Sequence, residues 1–333
     1  MLNVHLAKKT IILACAMFLL SSCRLTAPNL AEQPFDDDIK NNSLAISPDE
    51  TLAIASYSDE RGVVVYDLNK KSLIKTLTYL TPRNVKFAKD GRSFFISDSS
   101  LGVLRQVSVD DFSTLHEVQV DKGAFGFAIN DDYIFLNNEA TNTVSVINLE
   151  TWKIDRVITG FDNPRQGIVI GSSNRHVYVT NFKSDDVRRI NTETWKIDKV
   201  LNGIPGVRAI ALSADESKLY GASSATNSLR IIDVRSNGLI KTIPTGRDPY
   251  GAALSSDGKI LITGNKIDNT VQVFDAIHYN LLHTIPGFNE PRQAIVYSKN
   301  KGKIYILQKD LSIAVVNYND QGKPLEVIVD KNN

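Results

Sequence analysis

The sequence predicts an all-β chain: a seven-bladed β-propeller of four-stranded antiparallel blades around a central channel. Three observations carry this expectation. The turn after the first strand of each unit recurs at Ser47, Ala88, Asn130, Gly171, Ser213, Ser255 and Ser298, in steps of 41 to 43 residues. Each unit holds short β-branched runs separated by Asp, Asn, Gly and Pro, as a meander of antiparallel strands requires. A period near 40 with several strands per unit is the length of one propeller blade, and a lone blade cannot bury both faces.

Residues 1–22 read as an export signal that precedes the folded part. Lys8 and Lys9 form a short basic stretch, Thr10 to Leu20 is apolar, and Leu20-Ser21-Ser22-Cys23 follows. The apolar run is too short for a permanent membrane span and reads as a targeting segment. Leu-Ser-Ser-Cys resembles the bacterial lipobox, which implies that Cys23 is lipidated and becomes the mature N-terminus. The alternative is a plain signal peptide cut near Ser22. Arg24 in place of an aspartate resembles lipoproteins sorted to the outer membrane, so the expected location is a bacterial membrane surface facing the periplasm.

Residues 23–41 read as the acylated cysteine and a flexible tether, with Pro28, Pro34 and the run Asp36-Asp37-Asp38. Residues 42–333 are left for the propeller, long enough for a closed ring in one domain. The only cysteines are Cys15 and Cys23, so the domain offers no thiol for a disulfide, a nucleophile or a metal. A formal net charge of +1 implies no global field for nucleic acid or anionic lipid.

The blades align in order. Blade one is expected at Ser43–Ile46, Thr51–Ser56, Val63–Asp67 and Leu73–Thr78. Blade four is expected at Gln166–Ile170, His176–Asn181, Val187–Ile190 and Lys196–Leu201, and blade six at Gly251–Leu254, Lys259–Thr263, Thr270–Asp275 and Leu281–Ile285. Blade seven can build four strands of its own from Ala294 to Val329. The ring would then close by face packing of blades one and seven, with an added edge pairing near Phe35 to Lys40 left open. Asp67, Asn148, Asn191, Asp233 and Asp275 end the third strands. Because they repeat in every such blade, they read as turn chemistry and not as metal or catalytic groups.

His176-Val177-Tyr178-Val179-Thr180-Asn181, with Ile190-Asn191-Thr192-Glu193-Thr194 after it, resembles the YVTN family of bacterial propeller repeats. Ala211-Leu212-Ser213-Ala214-Asp215 and Val271-Gln272-Val273-Phe274-Asp275 fit the same pattern. The resemblance covers the chain from about Ser43 onward and implies an exported seven-bladed ring similar to YncE-like periplasmic proteins. Blade two departs with Arg105-Gln106-Val107, and blade seven lacks the Asp-Gly turn. The motif is structural, so it carries a fold and hardly any activity.

Candidate site residues lie where each blade's outermost strand hands over to the next blade's innermost strand. There the chain reads Thr81-Pro82-Arg83, Asn163-Pro164-Arg165, Pro205-Gly206-Val207-Arg208, Asp248-Pro249-Tyr250 and Glu290-Pro291-Arg292, with Asn42 and Phe125 at the matching places. These loops should converge on one rim of the channel. Arg83, Arg165, Arg208 and Arg292, beside Tyr250, would then form an anion-recognising rim, because a guanidinium presents a planar fork of donors. The competing expectation is that each arginine pairs with an acid on the same rim, such as Asp59, Asp98, Glu139, Asp185 or Asp268.

Trp152 and Trp195 share the pentapeptide Thr-Trp-Lys-Ile-Asp on the outer hairpins of the opposite face. It reads as a duplication with each indole packed over its own blade, an exposed interface being the alternative. His116, His176, His278 and His283 have no metal-ligand spacing, and no phosphate loop, nucleophile elbow or dinucleotide fingerprint occurs. No cofactor and no metal are expected. The reading is a monomeric, lipid-anchored, non-enzymatic binding or scaffold module for an envelope protein or a small anionic ligand. The alternative is a propeller lyase or hydrolase acting on an anionic substrate, with Tyr250 as acid or base. Nucleic acid is not an expected partner, since only Tyr250 and Phe125 offer stacking platforms.

Overall fold

The repeat closes into a ring. The computed structural model describes residues 38–58, 61–298 and 302–317, with the backbone of the strand Glu326–Val329. Seven four-stranded sheets form, each antiparallel and each made of consecutive strands. Blade one is Asn42–Ile46, Leu52–Tyr57, Val63–Asp67 and Ser72–Leu77. Blade four is Pro164–Ile170, His176–Asn181, Asp186–Asn191 and Lys196–Leu201. Both agree with the expected strands to within two residues at each end. Blade six agrees to the same margin, although its innermost strand is only Ala253–Leu254.

The core is divided into seven parts, one in each junction between neighbouring blades. The Val, Ile and Leu residues of alternating strands serve two sheets at once, which is how each blade buries both faces. The junction of blades seven and one has the same construction. Tyr66, Ala55 and Leu44 pack there against Tyr305, Ile313 and Val315. Polar joints reinforce it: the Tyr66 hydroxyl donates to the Leu311 carbonyl at 2.9 Å, and the Ser298 hydroxyl donates to Glu50 Oε1 at 2.6 Å. No strand is exchanged among the described residues, so the ring closes by face packing. Asn41 extends the first ladder of blade one by accepting from the Ser58 amide at 2.9 Å, and residues 35–37 of the segment left open for an edge pairing lie outside the described residues.

The repeated acids and amides make turns, as the sequence implies. Asn148 Oδ1 accepts from the Glu150 and Thr151 amides, and Asn191 and Asp275 do the same in their own blades. Four residues further on the backbone enters the left-handed region, at Lys71, Trp152, Trp195, Asn237 and Tyr279. Two of these are the tryptophans, and neither indole lies over its own blade. Trp152 stacks on His116 and Phe95 of blade two, with ring centroids 4.2 and 6.2 Å away. Trp195 packs on Tyr133 and Phe135 of blade three, under the Arg156 guanidinium. The turn throws each side chain backward, so both indoles fasten their blade to the preceding one.

Candidate functional site at the channel rim

The innermost strands start at the rim, and in blades two to five their ladders break there. Pro82 pairs with Asp98 and Asn84 with Ser97, leaving Arg83 outside the register. Similar shifts free Phe125 and Gly126, then Arg165 to Gly167, then Arg208 and Ala209. Such bulges re-aim side chains and twist the strand. The repeat therefore removes the candidate residues from the sheet and turns them toward the channel mouth. Polar side chains from the preceding blade hold the bulged backbone. Ser97 Oγ donates to the Phe125 carbonyl at 2.5 Å, and Asn137 Nδ2 donates to the Arg165 carbonyl at 2.7 Å. Gly126 is required at this approach, because a Cβ there would collide with the backbone of Arg165 and Gln166.

The rim arginines divide into two kinds. Arg165 and Arg208 line a cavity of about 300 Å³ together with Phe125, Phe182, Tyr250 and Lys266. Arg83 and Arg292 stand behind it as buried posts, 0% and 3% exposed. Arg83 donates from Nε to Ser99 Oγ at 2.9 Å, and from Nη1 to the Ile39 carbonyl and Asn41 Oδ1 at 2.7 and 2.9 Å. Arg292 Nη2 reaches Glu290 Oε2 at 3.2 Å. Asn42 belongs to ring closure: its carbonyl accepts from Gln293 Nε2 at 2.9 Å and its Oδ1 from the Ala294 amide at 3.2 Å.

Aromatic faces, more than acids, hold these cations. Arg165 lies over Phe182 at 4.2 Å, and Arg208 lies over Phe182 and Tyr250 at 4.6 and 4.8 Å. Arg292 lies over Tyr57 at 4.9 Å and Arg83 over Phe125 at 4.8 Å. A desolvated contact of this kind contributes up to about 2 kcal/mol. Four of the five expected acids are described, and their hydrogen bonds and ion pairs go to groups other than the rim arginines, although Glu139 still acts on Arg165 through its charge. Asp98 is fully buried and accepts from the Leu80, Thr81, Ser100 and Leu101 amides. Glu139 holds Asn163, Asp185 holds the Gly206 amide, and Asp268 pairs with Arg247. Asp59 lies outside the described residues.

Among the described residues the Arg165 side chain makes no hydrogen bond, and its Nε is buried without a partner, as are Nε and Nη1 of Arg292. Arg208 Nε donates to Ser224 Oγ at 3.1 Å. Burial holds the Arg165 guanidinium below its ordinary range, and Arg208 and Arg83 push the same way, while Glu139 and Asp38 oppose them. A guanidinium nonetheless stays charged at any ordinary pH. The cavity thus presents cationic donors against π faces, with Glu139 and Asp38 acting on Arg165 and Asp248 meeting Lys266 at 3.9 Å. Asp38, Ile39, Lys40 and Asn41 also line it. Ile39 and Asn41 are buried, so the end of the segment expected to be a tether is docked on the rim.

Phe182, Tyr57 and Lys266 escaped the sequence reading, yet most of this shell has a signal. The residues just after the second strands, Ser99, Phe182, Ser224 and Lys266, recur with the blade period, and each touches the rim residue of its own blade. Among the described residues no histidine or cysteine lines the cavity, and no group of three or more His, Cys, Asp or Glu could hold a metal.

No family model matches the chain, and no characterised protein matches it in sequence. Among solved structures it resembles Kuenenia stuttgartiensis hydrazine synthase, with a TM-score of 0.74 and 15% identity over 83% of this chain and 94% of that one. At that identity the likeness shows the fold alone. The class defined by fold and rim is a seven-bladed β-propeller, a scaffold suited in general to binding.

Proposed function

We propose that this chain is a non-enzymatic binding module that captures a small organic anion at the channel mouth. The Arg165 guanidinium, with its Nε unpartnered among the described residues and Arg208 beside it on the same ring, carries the reading. Two guanidiniums flanking one phenyl ring suit a carboxylate or phosphate on a flat apolar body, which could lie against Phe182 and Tyr250 while the forks take the oxygens. Asp38 is the chain's own carboxylate at this place, and an incoming anion would displace it.

The export signal and Leu20-Ser21-Ser22-Cys23 support the rest of the reading: a YVTN-like ring held on a bacterial envelope membrane by lipid on Cys23 and available to an envelope protein. Acyl chains would anchor it firmly without a spanning helix.

The test is calorimetric titration of benzoate and inorganic phosphate into the mature protein and into Arg165→Ala/Arg208→Ala. Binding should weaken at least about tenfold in the double variant, the loss expected for one charged hydrogen bond of about 1.5 kcal/mol or more. Equal affinity in both proteins, or no binding of either anion, would remove the proposal. For the anchor, Cys23→Ser should move the protein from the membrane fraction to the soluble one.

A further inference from the structure

The channel continues below the rim. Gln166 and Gln293 line both the rim cavity and a larger one of about 610 Å³ at the opposite mouth. Its wall is mostly apolar, with Leu44, Val85, Ile168, Ile210 and Ile295 contributed by five different blades. Into this wall the innermost strand of blade two places Lys86.

Among the described residues Lys86 has no carboxylate and no hydrogen-bond acceptor. Its Nζ lies 5.8 Å from the centre of the Phe127 ring, across the junction with blade three. The other charged groups of the wall are engaged. Glu50 accepts from Ser298 and Tyr305, and Lys89 meets Asp131 at 3.4 Å. Lys86 is partly exposed and lines the cavity. Burial alone pulls its ammonium down to about 8. An amine in an apolar wall with no counter-ion sheds its proton readily, and the neutral form carries the lone pair that attacks carbonyl carbon.

We propose that Lys86 is a nucleophilic amine that captures small apolar aldehydes or ketones in the inner channel as reversible imines. The Nζ lone pair attacks the carbonyl carbon, and the oxygen takes up a proton to give a carbinolamine. Loss of water then forms the carbon–nitrogen double bond, so one carbonyl compound and one amine yield one imine and one water with no change of oxidation state. The site is independent of the anion reading of the rim.

The experiment is trapping of the mature protein with benzaldehyde and cyanoborohydride near pH 8, followed by peptide mass spectrometry of every lysine. An amine with a pKa near 8 is about half neutral there, whereas an ordinary surface lysine is under about 1% neutral. Lys86 should therefore be benzylated at least about tenfold faster than the exposed Lys89 and Lys183. Lys86→Met should abolish the fast adduct and leave the slow ones, and Arg165→Ala/Arg208→Ala should leave Lys86 labelling unchanged. Labelling of Lys86 no faster than Lys183 would overturn the assignment. Loss of the fast adduct in the rim variant would overturn the independence of the two compartments.

Discussion

The two mouths of one channel handle positive charge in opposite ways. At the rim, guanidiniums lie on Phe182, Tyr250, Tyr57 and Phe125, so π faces offset part of their desolvation. At the far mouth, the Lys86 ammonium has a single distant ring and, among the described residues, no anion. A delocalised cation tolerates this burial and stays charged, whereas a compact ammonium yields its proton. One end is thereby suited to holding anions by charge, and the other to meeting carbonyl carbon with a lone pair.

The largest effect should come from breaking the backbone contact that shapes the rim. Gly126→Ala forces a Cβ into the Arg165–Gln166 backbone, and overpacking of this kind should cost about 2–4 kcal/mol. A denaturant melt checks this, and the same variant should lose anion binding because the bulge that aims Arg165 shifts. An unchanged melt would mean that the two blades can part without penalty.

A smaller effect of opposite sign belongs to the far mouth. The folded pKa of Lys86, about 8, lies below its ordinary 10.5. Below pH 8 both states hold the proton, and the folded state bears the cost of a charge in an apolar wall. Between about 8 and 10.5 the unfolded chain keeps the proton that the folded chain has released, so this group's contribution to stability rises with pH. Lys86→Met should therefore stabilise the protein at pH 7 by about 1–2 kcal/mol, a figure reduced for its partial exposure, and the gain should shrink above pH 8. Parallel stability curves for the two proteins from pH 7 to 10 would contradict the unpaired-amine description.

The smallest effect sharpens the contrast from the rim side. Arg165→Ala removes one cation–π contact and no hydrogen bond, so stability should fall by only about 0.5–1 kcal/mol while anion affinity falls much more. Thermal melting alongside titration separates the two readouts.

The repeat made the strands and turns legible because alternation and Asx turns are local properties, so Asp67 or Asn191 could be assigned from its own neighbours. The rim was legible in part. The period placed Arg83, Arg165, Arg208 and Arg292 on one mouth, but only packing decides that two face the cavity and two support it. Asp98 looked like a rim acid because its hairpin opens there, yet backbone amides turn it inward. Lys86 gave no signal, because Val85-Lys86-Phe87 reads as one solvent-facing residue in an alternating strand. Ring closure converts that outward face into channel wall and blade junction, and no window of sequence contains the seventh blade together with the second.

Because the seam between blades seven and one is glued by side chains like every other seam, no boundary around the circle is privileged. Joining the two ends by a linker and opening the chain near Asn202, between blades four and five, should give a permuted protein that folds to the same ring.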